Sequence, residues 1–183
     1  MTVVTRKALF LDRDGVTIDY IPYLSQPAQV KLPQGAGQAL QQWQSAGYLL
    51  IVITNQAGIG RGYFDHDAVE AVHQKVVADY QPFGVTFTDF FLCPHHPDAG
   101  CKCRKPSPQM LRDAAEKYHI SLKDSYFIGD APSDLQAAIN AGCQPVLVLT
   151  GRGRETVQQL ARFPQSIPVF DALCDTVALL NGQ

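Results

Sequence analysis

The sequence has no apolar run near the 18 or so residues that a membrane-spanning helix needs, and its N-terminal stretch MTVVTRKALFLD lacks a small-residue cleavage site. A membrane partner and a secretory route are not expected; the cytoplasm is. Excess charge of one sign is missing too: 15 Lys and Arg stand against 17 Asp and Glu, with no block of like charges. That excludes the basic footprint of a nucleic-acid binder and the charged tail of an interaction segment. There is no internal repeat and no low-complexity segment. A disulfide framework is also lacking: five cysteines are an odd number, and three of them crowd together in a reducing compartment. What is present is 183 residues, 46% of them hydrophobic, enough for one domain over residues 1–183 to bury a core without covalent staples. A monomer is expected.

Short apolar runs alternate with amphipathic segments. Strands are expected at 7–12, 48–54, 87–93, 125–130 and 145–150, several apolar throughout and so buried on both faces. Helices are expected at 35–46, at 67–80 behind a capping box Asp67-x-x-Glu70, and at 108–119 with Ser107 as N-cap and Pro108 first. Another begins near Ser133 and stops at Gly142, and two more cover 154–162 and 172–180. This alternation implies a Rossmann-like, doubly wound parallel α/β sheet with helices on both faces. Only some 30 residues separate Asp14 from the second strand, and about as many separate the second from the third, so no separate cap domain fits.

In such sheets ligands bind beyond the carboxyl ends of the strands, where the strand order reverses. Asp12 and Asp14 follow the first strand, Thr54 and Asn55 the second, Cys93 the third, and Asp130 and Asp134 lie at and after the fourth. Two aspartates two apart on extended backbone point the same way, and a divalent cation relieves their repulsion. A strand cap and an Asp14-Gly15 turn would equally explain that pair alone. The carboxylates of Asp130 and Asp134 shift the balance, since they add hard oxygen ligands suited to Mg²⁺. Asp134, in the first turn of a helix, also favours the helix dipole, which is compatible with a supporting place behind the ligands.

The segment CPHHPDAGCKCRKP, residues 93–106, pairs Cys93 with His95 and Cys101 with Cys103, each two apart. In extended backbone each pair faces one side, and the turn at Asp98-Ala99-Gly100 folds one pair onto the other. The product is a tetrahedral Cys₃His zinc site with no open position, hence structural. Its alternative is a chance cluster of free buried thiols. His96 points away, and the isolated Cys143 and Cys174 read as small core residues. Ordering this polar loop would aim Arg104 and Lys105.

Asp12-x-Asp14-Gly15-Val16, Thr54-Asn55, Lys105 and Gly129-Asp130 with Asp134, in that order at strand ends, resemble the four motifs of the haloacid dehalogenase-like phosphatases. The resemblance spans about residues 7 to 150 and implies Mg²⁺-dependent phosphoryl transfer. By that resemblance Asp12 is the nucleophile and Asp14 the general acid and base. Mg²⁺ sits on the Asp12 carboxylate, the Asp14 carbonyl and Asp130, with Asp134 behind them. Thr54 and Lys105 compensate phosphoryl charge, although read alone they are a strand-end hydroxyl and a solvated cation. The zinc loop before RKP and the stretch TNQAGIGRGYF narrow the resemblance to a branch of heptose bisphosphate and histidinol-phosphate phosphatases. Ala131 departs from relatives that carry a basic residue there.

The implied substrate is a small phosphorylated sugar, a heptose 1,7-bisphosphate on the way to lipopolysaccharide or related products. Histidinol phosphate is the alternative, and a non-catalytic phosphate-binding module a more distant one. The histidinol enzymes are often fused to a second catalytic domain, which favours the heptose reading for a chain with one. Substrate selection falls to the loops Asp19 to Leu32, Gln56 to Phe64 and the zinc loop. Candidate contacts there are Asn55, Gln56, Arg61 and Arg104, with Arg61 between two glycines and otherwise a solvated residue.

Overall fold

A computed structural model describes residues 4–182; residues 1–3, part of the N-terminal stretch read above, and residue 183 lie outside the described residues. Six parallel strands form one sheet in the order β3-β2-β1-β4-β5-β6. They are β1 Lys7–Leu11, β2 Tyr48–Asn55, β3 Asp89–Cys93, β4 Tyr126–Gly129, β5 Gln144–Val148 and β6 Val169–Phe170. The chain winds outward from β1 to β2 and β3, then returns to β4 on the other side. The strand order therefore reverses between β1 and β4, which pair at Leu9–Tyr126, Phe10–Phe127 and Leu11–Ile128. Side-chain alternation splits the core in two. Leu9 and Leu11 face a cluster with Leu40 and Trp43 of α1 (Ala36–Ser45) and with Val72, Val76 and Tyr80 of α3 (His66–Tyr80). Ala8 and Phe10 face Met110, Leu111 and Ala114 of α4 (Gln109–Tyr118) and Ala137 and Ala138 of α5 (Pro132–Ala141).

Between β1 and β2, and between β2 and β3, the described residues add only helices and turns, among them the short α2 (Ala57–Gly60), so loops wall the site. No helix of the described residues is long and apolar enough to cross a membrane.

Several local expectations shift. Helix α3 is capped by Asp65, in extended backbone, whose Oδ1 accepts from Ala68 N at 2.9 Å; Asp67 lies inside the first turn, so the Asp67-x-x-Glu70 box is not the cap. Pro108, not Ser107, is the N-cap of α4, while Ser107 Oγ still accepts from Gln109 N at 3.2 Å. Strand β3 starts at Asp89 rather than at 87 and lies at the sheet edge, buried only at Cys93. The expected helix at 154–162 is one turn of α6 (Gly153–Thr156) followed by 3-10 turns, and that at 172–180 is a 3-10 run, Leu173–Gly182. The latter packs on α1, where Trp43 Nε1 donates to Thr176 Oγ1 at 3.1 Å. Strand β6 was not expected; with two residues it has no periodicity to read.

Candidate active site

The switch point collects the acids. After β1 the chain turns back, with Thr17 Oγ1 donating to the Asp12 carbonyl at 2.7 Å. Gly15 has φ +87°, and a Cβ there would lie 2.4 Å from Asp130 Oδ2, so only glycine lets the two strand ends close on each other. Asp12, Asp130 and Asp134 each bring a carboxylate oxygen within 4.8 Å of the others, and all three are buried. Asp134, at the third position of α5, accepts from the backbone N–H of Asp130 and of Ala131 at 3.2 and 3.1 Å. Its other oxygen meets Lys105 Nζ at 2.8 Å.

Lys105 is itself 4% exposed and donates to Asp12 Oδ1 at 3.0 Å and to the Ile53 carbonyl at 2.9 Å. Although burial works against its charge, the Asp12 and Asp134 carboxylates outweigh it and raise the ammonium above its ordinary range. Lys105 therefore stays charged. Burial, and then the Asp134 charge, push Asp12 well above the ordinary carboxylate range despite Lys105. Among the described residues the four carboxylates of Asp12, Asp14, Asp130 and Asp134 form ion pairs with only two cations, Lys105 and Arg13. Asp130 is raised to about 6, first by burial and then by Asp134. Its Oδ2 accepts from Arg152 N at 2.9 Å, but its Oδ1 is buried and has no hydrogen-bond partner. An orphaned carboxylate oxygen in a cluster with more acids than paired cations fits a divalent cation with oxygen preference.

Asp14 is held differently. The Arg13 guanidinium forks onto it, Nε to Oδ2 at 3.2 Å and Nη2 to Oδ1 at 3.1 Å. Gln56 Nε2 donates to Asp14 Oδ2 at 3.0 Å and to Thr54 Oγ1 at 2.8 Å, which places Thr54, fully buried, beneath the site. Asn55 grips the Lys105 backbone on both sides, donating to its carbonyl at 3.2 Å and accepting from its N–H at 3.0 Å. A cavity of about 300 Å³ opens above, lined by Asp12, Asp14, Asn55, Gln56, Arg104 and Lys105, with Arg13, Tyr20, Tyr23 and Arg152 among the rest. Arg104 Nη1 is buried without a partner. Arg61 is not in the cavity wall; its Nη1 lies 3.3 Å from His96 Nε2 on the surface.

The Cys/His segment converges as well. Cys93 Sγ lies 3.5 Å from His95 Nδ1 and 3.6 Å from Cys101 Sγ; Cys103 Sγ lies 3.3 Å and 3.9 Å from the same two atoms. Tetrahedral ligands at zinc bond lengths stand about 3.8 Å apart for two sulfurs and about 3.6 Å for sulfur and nitrogen, so these separations match a closed four-ligand site. Burial pushes the Cys93 thiol up to about 12. For Cys101 the Arg104 N–H and the neighbouring sulfurs outweigh burial and bring the thiol down to about 7. The loop is pinned by Ser107, which donates to the Lys102 carbonyl at 2.6 Å, and delivers Arg104 and Lys105 to the cavity.

Arg13 and Arg152 were not singled out from the sequence. Arg152 carried a signal: the strand-end rule applied to β5 reaches Thr150, Gly151 and Arg152. Arg13 carried none, because a cation between two acids reads as exposed.

A parallel doubly wound sheet with an acid cluster and a buried lysine at its switch point is the arrangement of a metal-assisted α/β hydrolase. The Hydrolase_like family model, described as HAD-hydrolase-like, matches residues 102–176. The chain is 43% identical over 169 residues to the D-glycero-beta-D-manno-heptose-1,7-bisphosphate 7-phosphatase of Pseudomonas putida, covering 91% of this chain and 95% of that protein. Among solved structures it resembles the D,D-heptose 1,7-bisphosphate phosphatase of B. bronchiseptica complexed with magnesium and phosphate, with a TM-score of 0.90, 37% identity and coverage of 96% and 98%. The phosphatase of the same name from Burkholderia thailandensis superposes with a TM-score of 0.76 at 30% identity, covering 97% of this chain and 100% of that one. The chain belongs to the haloacid dehalogenase-like hydrolases.

Proposed function

We propose that this chain is a phosphatase that uses Mg²⁺ and an aspartyl-phosphate intermediate to remove the 7-phosphate of D-glycero-β-D-manno-heptose 1,7-bisphosphate. One observation carries the chemistry: Lys105 bridges Asp12 and Asp134 beside an orphaned Asp130 oxygen, at the floor of an open cavity. The substrate rests on the relatives, which bear that name and align over nearly the whole chain.

Asp12 Oδ1 accepts from Arg13 N at 2.8 Å and from Lys105 Nζ, which fixes the carboxylate's rotation for attack. As the bond from Asp12 to phosphorus forms, the bond from phosphorus to the sugar oxygen breaks, and that oxygen takes its proton from Asp14. Asp14, oriented by Arg13 and Gln56, then removes a proton from the water that attacks the aspartyl phosphate, releasing inorganic phosphate and restoring Asp12. Lys105 faces the charge on the phosphoryl oxygens, and the Thr54 hydroxyl beneath the site supports it through Gln56. When bound by Asp12, the Asp14 carbonyl and Asp130, Mg²⁺ supplies further positive charge to those oxygens and to the attacking carboxylate.

Asn55 acts through the Lys105 backbone, and Arg104 meets the rest of the substrate. Arg61, turned to His96, has no part in this reading. Cys93, His95, Cys101 and Cys103 hold a structural Zn²⁺, and the cytoplasm, where thiols are kept reduced, is the setting that suits them. The chain is taken to work as a monomer of one phosphatase domain. Release of inorganic phosphate from the heptose bisphosphate, present with Mg²⁺ and lost with a chelator, is the expected result; no release under either condition would overturn the reading.

A further inference from the structure

Arg152 follows β5 at the same end of the sheet as Asp12 and Asp130, and the mechanism above does not use its side chain. Its backbone N–H donates to Asp130 Oδ2 at 2.9 Å, which ties its position to the acid cluster. The preceding Gly151 is so closely packed that a Cβ there would lie 2.2 Å from that same oxygen and 2.8 Å from the Gly15 Cα. The turn therefore cannot drift. From this anchor the guanidinium runs to Tyr20, its central carbon 5.9 Å from the ring centroid, and both residues line the cavity. The ring, 41% exposed, is a shelf that limits the guanidinium's orientations without cancelling its charge.

The other cavity cations are differently placed. Arg13 is paired with Asp14, and Lys105 with Asp12 and Asp134. Arg104 and Arg152 form no ion pair among the described residues. A substrate with two dianionic groups needs positive charge at two places, and only one of them is at Asp12. Guanidinium forks match phosphate oxygens two at a time. We propose that Arg152 is a specificity-determining residue: together with Arg104 it receives the phosphate that is not hydrolysed. This rests on the sugar bisphosphate reading above.

The test compares Arg152→Ala and Arg152→Lys with the wild type on two esters of the same sugar, heptose 1,7-bisphosphate and heptose 7-phosphate. Alanine keeps the backbone N–H, so the hydrogen bond to Asp130 survives, and the exposed position spares the fold. Arg152→Ala is expected to lower kcat/KM for the bisphosphate about ten- to hundredfold, mainly through KM, as loss of a charge-assisted fork implies. The fall on the monophosphate is expected to be smaller by about tenfold, so the preference for two phosphates collapses. Lysine, a point charge without the fork, restores part of it. Equal falls on both esters, or none on the bisphosphate, would overturn the assignment while leaving the function intact. A wild-type protein inactive on both heptose esters would instead overturn the function, and the assignment with it.

Discussion

His73 is neutral in the folded protein, and its protonation should be one of the ways acid unfolds the chain. It lies on α3 at 4% exposure, stacked on Phe90 with ring centroids 4.5 Å apart, and its Nε2 is buried without a hydrogen-bond partner. Burial, and then the Arg13 charge, lower it from 6.5 to about 3. Between those two values the unfolded chain binds the proton and the folded chain does not, so the contribution is intact above 6.5 and is lost as pH falls. At about pH 5 the unfolded imidazole is protonated roughly thirtyfold over its neutral form, which costs the native state about 2 kcal/mol; at about pH 7.5 the cost is near zero.

Replacing His73 by Phe keeps a ring on Phe90 and removes the titration. The assay is urea denaturation of wild type and His73→Phe at both pH values, read as a difference of differences so that acid effects at other groups cancel. Wild type should lose about 2 kcal/mol more than the variant between the two. Any misfit of the larger ring shifts both pH values alike. Equal losses in the two proteins would refute the reasoning, as would a His73 titration near its ordinary value.

Asp14→Asn should retain the fold and lower kcat about 10²- to 10⁴-fold, the usual worth of a positioned general acid and base; steady-state kinetics with circular dichroism checks both. Freshly purified protein should carry about one zinc per chain by elemental analysis, and Cys101→Ser/Cys103→Ser none. In the same double variant kcat/KM should fall by about 10²-fold, because a displacement of about 1 Å at Arg104 and Lys105 is enough to do so. Arg61→Ala should lower kcat/KM for the heptose bisphosphate less than Arg104→Ala does, since Arg61 meets His96 outside the cavity; the reverse order would put Arg61 in the site.

The acid cluster was legible because Asp12 and Asp130 stand directly behind apolar runs, with Asp14 and Asp134 two and four residues further on, and the strand ends then fix which end of the sheet they occupy. The thiol cluster was legible for a similar reason: spacing two apart sets a shared side, and a turn joins the pairs. Side-chain direction in loops was not. Arg61 sits between Gly60 and Gly62, which leave its course open, and His96 of the neighbouring loop decides it. Arg13 is buried because the chain folds back at Leu24, whose carbonyl accepts from its Nη2 at 3.4 Å, a tertiary event with no local mark. The tail after Thr156 departs from the α-helix for want of a sequence signal that separates 3-10 from α turns, and the two-residue β6 is specified by its partner, Leu147 to Val169 and Val148 to Phe170.

In the proposed function, this cavity turns over a heptose bisphosphate through Asp12. Its most direct test is kcat/KM with Mg²⁺ on D-glycero-β-D-manno-heptose 1,7-bisphosphate beside histidinol phosphate, for wild type and Asp12→Asn. Fast release of the 7-phosphate with the 1-phosphate retained, far slower hydrolysis of histidinol phosphate, and essentially no turnover by Asp12→Asn are the expected results. Equal efficiency on the two esters, or near-normal turnover without the Asp12 carboxylate, would contradict the proposed function.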